Sequence, residues 1–406
     1  MKKAPNRYLI LAAAAIAGLM VGIALTWSIF KNPLMEKNSW SSNTVTLTYS
    51  LYMLFACIGT FLCPVLQKKI RPSHLLLIGG CMHGMGLFFT GYATAVWQMY
   101  LSYSVMAGLA NGFIYNTAIS AATKWFPDKK GFANGICVGC MGLASLLFAP
   151  LGNYLIANFD VSAAFRILGL LMTGVFLVIS WFVQIPPEGW IPNGVATSTT
   201  AAAGTTGRNL HWKQLLCTPA FCTMWLMTLC AVTAGSMMTG QASAMAQQMA
   251  SITAAQASTL VAILAVANFS GRLAFSSLSD KLGRYRMLLI LLCVSAADML
   301  FFFGMATTFL RFMLVLCIAG ACYGGTMAIL PSLVSDAFGS KYFSTNYACV
   351  YSGFTCASFV GPMVASNVLQ STGTYHQAFM IAGVLAVAGI VLSLITQHLS
   401  RNLQNL

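Results

Sequence analysis

Apolar residues run along the chain in long blocks separated by short polar segments. With a window of about 19 residues, the blocks fall at 8–30, 43–66, 74–93, 97–121, 131–155, 161–184, 219–246, 254–278, 286–305, 309–334, 344–370 and 375–397. A helix of about 20 residues crosses the hydrocarbon core of a bilayer, so the pattern predicts an all-α membrane protein with twelve transmembrane helices. Twelve such helices consume about 250 residues of the 406 present. The first block, which follows Met1-Lys2-Lys3, is longer than a signal-peptide core and lacks a convincing small-residue cleavage site. It is therefore expected to remain as the first span.

The longest polar stretch, 185–218, holds Pro186-Pro187, Pro192-Asn193-Gly194 and a Thr/Ala/Gly/Ser tract over 195–207. That composition predicts a flexible linker between two six-helix bundles, 1–184 and 219–406. The halves also resemble each other at an offset of 212 residues, which pairs Gly59 with Gly271, Lys69 with Lys281, Gly112 with Gly324, Ser120 with Ser332, Phe126 with Phe338 and Asn134 with Asn346. Parallel repeats about an axis along the membrane normal are a transporter architecture.

Composition agrees. Charged residues make up 7% and hydrophobic residues 58%, with a mean hydropathy of +0.78, where a soluble domain carries about 25% charge. A soluble enzyme is excluded. The net charge of +14 does not point to nucleic acid, because the lysines and arginines sit in short runs between spans instead of clustering on one exposed face. Of the 21, all but Lys31, Lys37, Arg166, Arg311 and the intramembrane Arg272 fall on the side of the N-terminus. The positive-inside rule then predicts that both termini are cytoplasmic. Thirteen cysteines lie mostly within apolar blocks and read as small buried hydrophobes. The Cys137-x-x-Cys140 pair has no neighbouring histidine or second pair and reads as packing. No Ser-His-Asp, paired-carboxylate or phosphate-loop arrangement is visible, so neither a catalytic residue, a metal site nor a cofactor is expected.

Charge inside a span is expensive and marks function. Arg272 precedes Asp280 by eight residues, about 12 Å along a helix, which puts it near mid-membrane. A guanidinium there is always protonated and offers a fork that suits a carboxylate. Asn268 lies one turn earlier on the same face, able to bond the substrate or orient the guanidinium. Asp298, in the next span, is a second deep charge: a candidate proton site, or else a permanent partner that locks Arg272. His83 is the one histidine inside a span and is the other candidate proton site, against the plainer reading of a hydrogen-bonded core residue. Aromatic residues near span centres, Trp27, Tyr115, Tyr323, Tyr347 and Tyr351, combine apolar walls with single donors. The loop Leu278-Ser279-Asp280-Lys281-Leu282-Gly283-Arg284-Tyr285-Arg286 resembles the signature loop of the major facilitator superfamily. Asp280 facing Arg284 would act there as a gate, and topogenic charge alone is the bland alternative.

Four stretches together resemble the oxalate/formate antiporter family of that superfamily, a relative of the monocarboxylate transporters: Thr26-Trp27-Ser28-Ile29-Phe30, Lys124-Trp125-Phe126-Pro127-Asp128-Lys129-Lys130-Gly131, Asn268-Phe269-Ser270-Gly271-Arg272 and Leu330-Pro331-Ser332-Leu333-Val334-Ser335-Asp336. The resemblance implies the major facilitator fold, two six-helix bundles about a central site, alternating access and a monomer in the cell inner membrane. By the same resemblance the eighth-span arginine that binds the substrate carboxylate matches Arg272, and Tyr115 and Tyr323 match aromatic positions near the substrate. Oxalate-exchanging members are similar in carrying a lysine in the eleventh span, where this chain has Phe354. One fixed cation suits one carboxylate, so a monoanion such as formate, lactate or pyruvate is expected ahead of oxalate. The expected partners are thus a small carboxylate and the lipid bilayer. A proton-coupled monocarboxylate symporter and a true oxalate:formate exchanger are the alternatives within this class. A non-transporting sensor is expected to append a soluble output domain, for which neither the termini nor the linker has room, and a channel would need polar rings along its pore.

Overall fold

A computed structural model describes residues 6–186, 209–249, 254–305 and 308–405. The expected linker lies outside the described residues over 187–208. Among the described residues, eleven helices are long and apolar enough to cross a bilayer. In order they are α1 (Arg7–Asn38), α2 (Ser42–Gln67), α3 (Pro72–Thr90), α5 (Lys130–Asn158), α6 (Val161–Ile179), α7 (Pro219–Met249), α8 (Ala254–Leu282), α9 (284–305), α10 (Phe309–Phe338), α11 (Phe343–Thr372) and α12 (His376–Asn405). The remaining expected span is α4 (96–125), in which a π-helical stretch, Tyr100–Ala107, interrupts the α-helix. No strand occurs among the described residues. The protein is an all-α multi-pass membrane protein, as the apolar blocks predict.

Local chemistry explains where the helices start and bend. Asn6 accepts from the Tyr8 amide, and Ser41 from the Thr44 amide, each satisfying an orphan donor of a first turn. Pro72 occupies the first turn of α3, where a missing N–H costs nothing. Asp160 caps α6 by accepting from the Ala163 amide at 2.5 Å. The Lys37 ammonium, 2.6 Å from Asp160, and that amide hold the Asp160 carboxyl below the usual carboxylate range. Two further interruptions, like that of α4, carry no proline: a 3-10 turn in α1 at Gly22–Thr26, and a π-helical turn in α9 at Asp298–Phe302. The first sits where Gly22 passes Met141 and Ala144 so closely that a Cβ would overlap the Ala144 Cβ. Many large apolar side chains face outward, among them Trp97, Trp181 and Val384, a surface suited to hydrocarbon and unsuited to water.

The described residues form two compact units, 6–126 with 140–186, and 127–139 with 209–405. The division runs through α5, whose first turns group with the second unit. In the first unit α2 packs on α4 and α3 on α6; in the second, α8 packs on α10 and α9 on α12. These pairs correspond at the 212-residue offset, and the correspondence extends to atoms. A Cβ at Gly59 would collide with the Leu109 carbonyl oxygen, and one at Gly112 with the Ala56 carbonyl oxygen. In the second unit a Cβ at Gly271 would collide with the Ala321 carbonyl oxygen, and one at Gly324 with the Asn268 carbonyl oxygen. Each residue of one set lies 212 positions from its counterpart, so the repeat preserves a backbone-to-backbone helix crossing that only glycine permits.

The crossing sets a prediction. Gly324→Ala and Gly112→Ala each press a methyl group into main chain that has no rotamer to yield, at a cost of about 2 kcal/mol. Gly174→Ala, with nothing within 4 Å of its Cβ, should be neutral or stabilising by up to about 1 kcal/mol. Thermal unfolding of the purified variants separates them; equal melting temperatures for Gly324→Ala and Gly174→Ala would contradict the tight crossing.

Candidate functional site

Helix α8 carries polar residues at four-residue spacing, Asn268, Arg272, Ser276 and Asp280, which aligns them along one face. The Arg272 Nε donates to Asn268 Oδ1 at 2.7 Å, and Nη1 donates to the Val138 carbonyl of α5 at 2.5 Å. Asn268 is itself tied down, its Nδ2 donating to the Gly320 carbonyl of α10 at 3.0 Å. Here an amide and a main-chain carbonyl, both neutral, orient the guanidinium. The Gly271 and Gly324 crossing brings α10 close enough to place Gly320 under Asn268, and a Cβ at Gly324 would also lie 3.0 Å from Arg272 Cγ.

One turn farther along, Ser276 Oγ donates to the Gly131 carbonyl at 2.7 Å and lies 3.0 Å from the Ala328 carbonyl oxygen. At the helix end the Asp280 carboxylate accepts from the Gly131 and Phe132 amides at 2.9 and 3.0 Å. It thereby caps the positive N-terminus of α5. Arg284 pairs with Asp280 at 2.5 Å and with Asp336 at 3.1 Å, and bonds Ser279 Oγ at 2.6 Å. Lys130, 4% exposed, pairs with Asp336 at 2.6 Å. A chain of alternating charge, Lys130–Asp336–Arg284–Asp280, therefore ties the ends of α5, α8, α9 and α10 together. Gly283, with φ of 93°, makes the turn from α8 to α9 that brings Arg284 back to Asp280, a conformation natural to glycine.

The other expected site residues are spread over both units. Tyr323 is half-buried on α10 with its ring against α7, so close that a Cβ at Gly235 would overlap a Tyr323 ring carbon. Tyr351 is half-buried on α11, its ring 4.7 Å from that of Phe354 and 5.6 Å from that of Tyr347. Trp27 and Tyr115 are buried in the first unit; the Trp27 ring lies 4.4 Å from Tyr103, and its indole N–H has no hydrogen-bond partner among the described residues. His83 is fully buried, with Nε2 3.3 Å from Tyr52 Oη and no partner for Nδ1 among the described residues. Asp298 is 2% exposed, and neither carboxylate oxygen has a hydrogen-bond partner among them. This corrects the alternative of a permanent Arg272–Asp298 pair: Asp298 lies in the π-helical turn of α9 and makes no such bond. Among the described residues, the cysteines are free and no cluster of metal ligands occurs.

Lys130, Asp336, Ser276, Ser279 and the Val138 carbonyl join the site from outside the residues expected of it. Lys130 and Asp336 lie inside the stretches that carry the family resemblance, but their partnership spans 206 residues, beyond any local spacing rule. Ser276 continues the Asn268/Arg272 face by one turn, the one signal by which the sequence could have offered it.

Helices that cross a membrane in two repeated units, with an oriented arginine inside one span, have the architecture of a membrane transporter. The sequence pattern of the Major Facilitator Superfamily matches residues 10–246 and 224–403, and the chain belongs to that superfamily. It is 29% identical over 358 residues to the uncharacterized MFS-type transporter YhjX of Escherichia coli, covering 87% of this chain and 86% of that protein. It is 26% identical over 390 residues to the oxalate:formate antiporter of Oxalobacter formigenes, covering 96% of this chain and 91% of the relative. The fold matches that of the E. coli fucose:proton symporter FucP with a TM-score of 0.72 at 15% identity, over 95% of this chain and 98% of that one. Like them, this chain is a transporter and not an enzyme.

The charge chain sets a second prediction. Asp280→Ala uncaps two α5 amides and leaves Arg284 with Asp336 as its remaining carboxylate, which should lower stability by about 3 kcal/mol. Asp280→Asn, which keeps an acceptor, should cost less. Thermal unfolding in detergent measures both; an unchanged melting temperature for Asp280→Ala would contradict the capping role.

Proposed function

We propose that this facilitator moves a small carboxylate anion of the formate, lactate and pyruvate class across the membrane by alternating access, exchanging one anion for another. The observation that carries the reading is Arg272, an arginine within a span whose Nε and Nη1 are fixed by neutral acceptors. A guanidinium so oriented is prepared for a carboxylate, and the attraction is stronger in a low-dielectric surrounding than in water. The similarity to the oxalate:formate antiporter, and at 23% identity over 362 residues to monocarboxylate transporter 12 of Rattus norvegicus, supports the same substrate class. Tyr323, Tyr351, Tyr115 and Trp27 shape the site in this reading, with Asn268 orienting the anchor. Phe354, stacked on Tyr351, stands where the oxalate-exchanging relatives of the family carry a lysine, which favours one carboxylate over two. The chain Lys130–Asp336–Arg284–Asp280 serves as the inner gate, since it must break for the helix ends it joins to separate.

Arg272→Ala should reduce uptake of labelled formate or lactate into liposomes preloaded with unlabelled anion by about 100-fold, the loss of two charge-assisted bonds to the substrate. Arg272→Lys should fail nearly as badly, because an ammonium lacks the fork. Unchanged uptake in properly inserted Arg272→Ala protein would sink the assignment.

Asp298 favours a second reading, a proton-coupled symporter. Ionised, it would be an uncompensated charge in the bundle interior; protonated, it is neutral, so gain and loss of its proton would have to accompany a movement that brings it a partner. Under exchange, Asp298→Asn transports normally and uptake ignores an imposed pH gradient. Under symport, the gradient drives accumulation into empty liposomes, and Asp298→Asn loses that accumulation while retaining exchange.

A further inference from the structure

A cavity of about 350 Å³ opens at the end of the second unit that carries the gate loop, between α9, α10 and α12. Its polar lining comprises Arg284, Arg286, Arg401, Tyr285, Gln397, Ser400 and the single acid Asp336. Two of the arginines differ from the third. Arg284 is engaged by Asp280 and Asp336. Arg286 and Arg401 are exposed and take part in no hydrogen bond or ion pair among the described residues. Two of the cavity's lining residues are tied together, the Tyr285 hydroxyl donating to Ser400 Oγ at 2.8 Å, which joins α9 to α12 at this end. It is a concave site with excess positive charge, and the transport mechanism uses neither of its exposed cations.

The surfaces leading to it identify the ligand. On α12, Arg401 lies on one face with His398, Leu394 and Val391 at steps of three, four and three residues; His398 is exposed and bonded to Asn402 at 3.3 Å, and beyond it Leu394 is 50% and Val391 52% exposed. On α9, Arg286 shares a face with Ile290 and Val294 at four-residue steps, and both are also exposed. Helices α9 and α12 pack together. Each unpaired arginine therefore stands at the head of an exposed helix face that turns apolar, at once on α9 and beyond His398 on α12, with the cavity between the two heads. Positive side chains at the membrane interface next to exposed hydrocarbon-compatible surface match a molecule with an anionic head and acyl chains. The loops at this end hold most of the lysines and arginines, which assigns them to the leaflet where anionic lipids gather.

We infer that this cavity is a binding site for the phosphate of an anionic phospholipid, with Arg286 and Arg401 on the phosphate oxygens and the acyl chains along the α9 and α12 strips. The arginine fork suits phosphate as it suits carboxylate, and Gln397 adds a donor. Because the site adjoins Arg284 and Asp336, an occupied site holds extra negative charge beside the gate.

The test is native mass spectrometry of the purified full chain in detergent, titrated separately with dioleoyl phosphatidate, dioleoyl phosphatidylcholine and inorganic phosphate. The expected result is one equivalent of phosphatidate bound in preference to phosphatidylcholine, with affinity about 30-fold weaker in Arg286→Gln/Arg401→Gln and largely kept in Arg286→Lys/Arg401→Lys. Arg401→Gln alone, a change on an exposed last turn, should show an intermediate loss and guards against misfolding of the double variant. Phosphatidate binding equal in wild type and Arg286→Gln/Arg401→Gln would overturn the site. Inorganic phosphate bound as tightly as phosphatidate would overturn the lipid as the source of the phosphate. Binding is read without transport, so failure here leaves the Arg272 assignment untouched.

Discussion

A permanent cation inside a membrane span has to have its N–H groups met by nearby acceptors, and the second unit is organised around meeting that demand at Arg272. The guanidinium takes one acceptor from its own helix, Asn268 Oδ1, and one from α5, the Val138 carbonyl. Asn268 can serve only because Gly320 of α10 anchors its amide. That anchor in turn depends on the close crossing of α8 and α10 at Gly271 and Gly324. Remove the glycine contact and the helix carrying Gly320 must retreat, the amide loses its tether and the arginine loses its orientation. Packing, polar satisfaction and the proposed substrate anchor are thus one linked arrangement.

The same face of α8 ends in a different use of charge. Asp280 meets α5 through two backbone amides and meets Arg284 through an ion pair, and Asp336 extends the chain to Lys130. Partly buried pairs of this kind add little net stability over apolar packing, yet losing one partner is costly. That asymmetry suits a latch, whose contacts break together or not at all. Its seat at a helix N-terminus adds the dipole to the balance, so the first turns of α5 are held by the helix that carries Arg272.

Much of this arrangement is legible in the amino-acid sequence. Long apolar blocks require helices because backbone groups in hydrocarbon must bond within the helix, and the blocks and spans agree to within a few residues at most ends. The offset of 212 rests on scattered identities in the sequence, and among them Gly59, Gly112, Gly271 and Gly324 make the same crossing twice. Arg272 with Asn268, and Asp280 with Arg284, are spaced by one turn, so local periodicity reveals them. The rest depends on tertiary proximity or on backbone detail without a composition signal. Lys130 reads as one more topogenic charge unless Asp336 is known to stand beside it. The π-helical turns at 100–107 and 298–302 carry no proline or glycine pair to announce them. Nor does any spacing rule reveal that Asp298 stands apart from Arg272, since which face of α9 meets which neighbour follows from packing.

Whether one oriented arginine recognises one carboxylate is decided by calorimetric titration of the purified protein with lactate and with oxalate, in wild type and in Arg272→Lys. One site for lactate, weaker binding of oxalate, and no measurable heat for either anion in the variant are expected. Oxalate binding more tightly than lactate, or lactate binding that survives Arg272→Lys, would contradict this recognition.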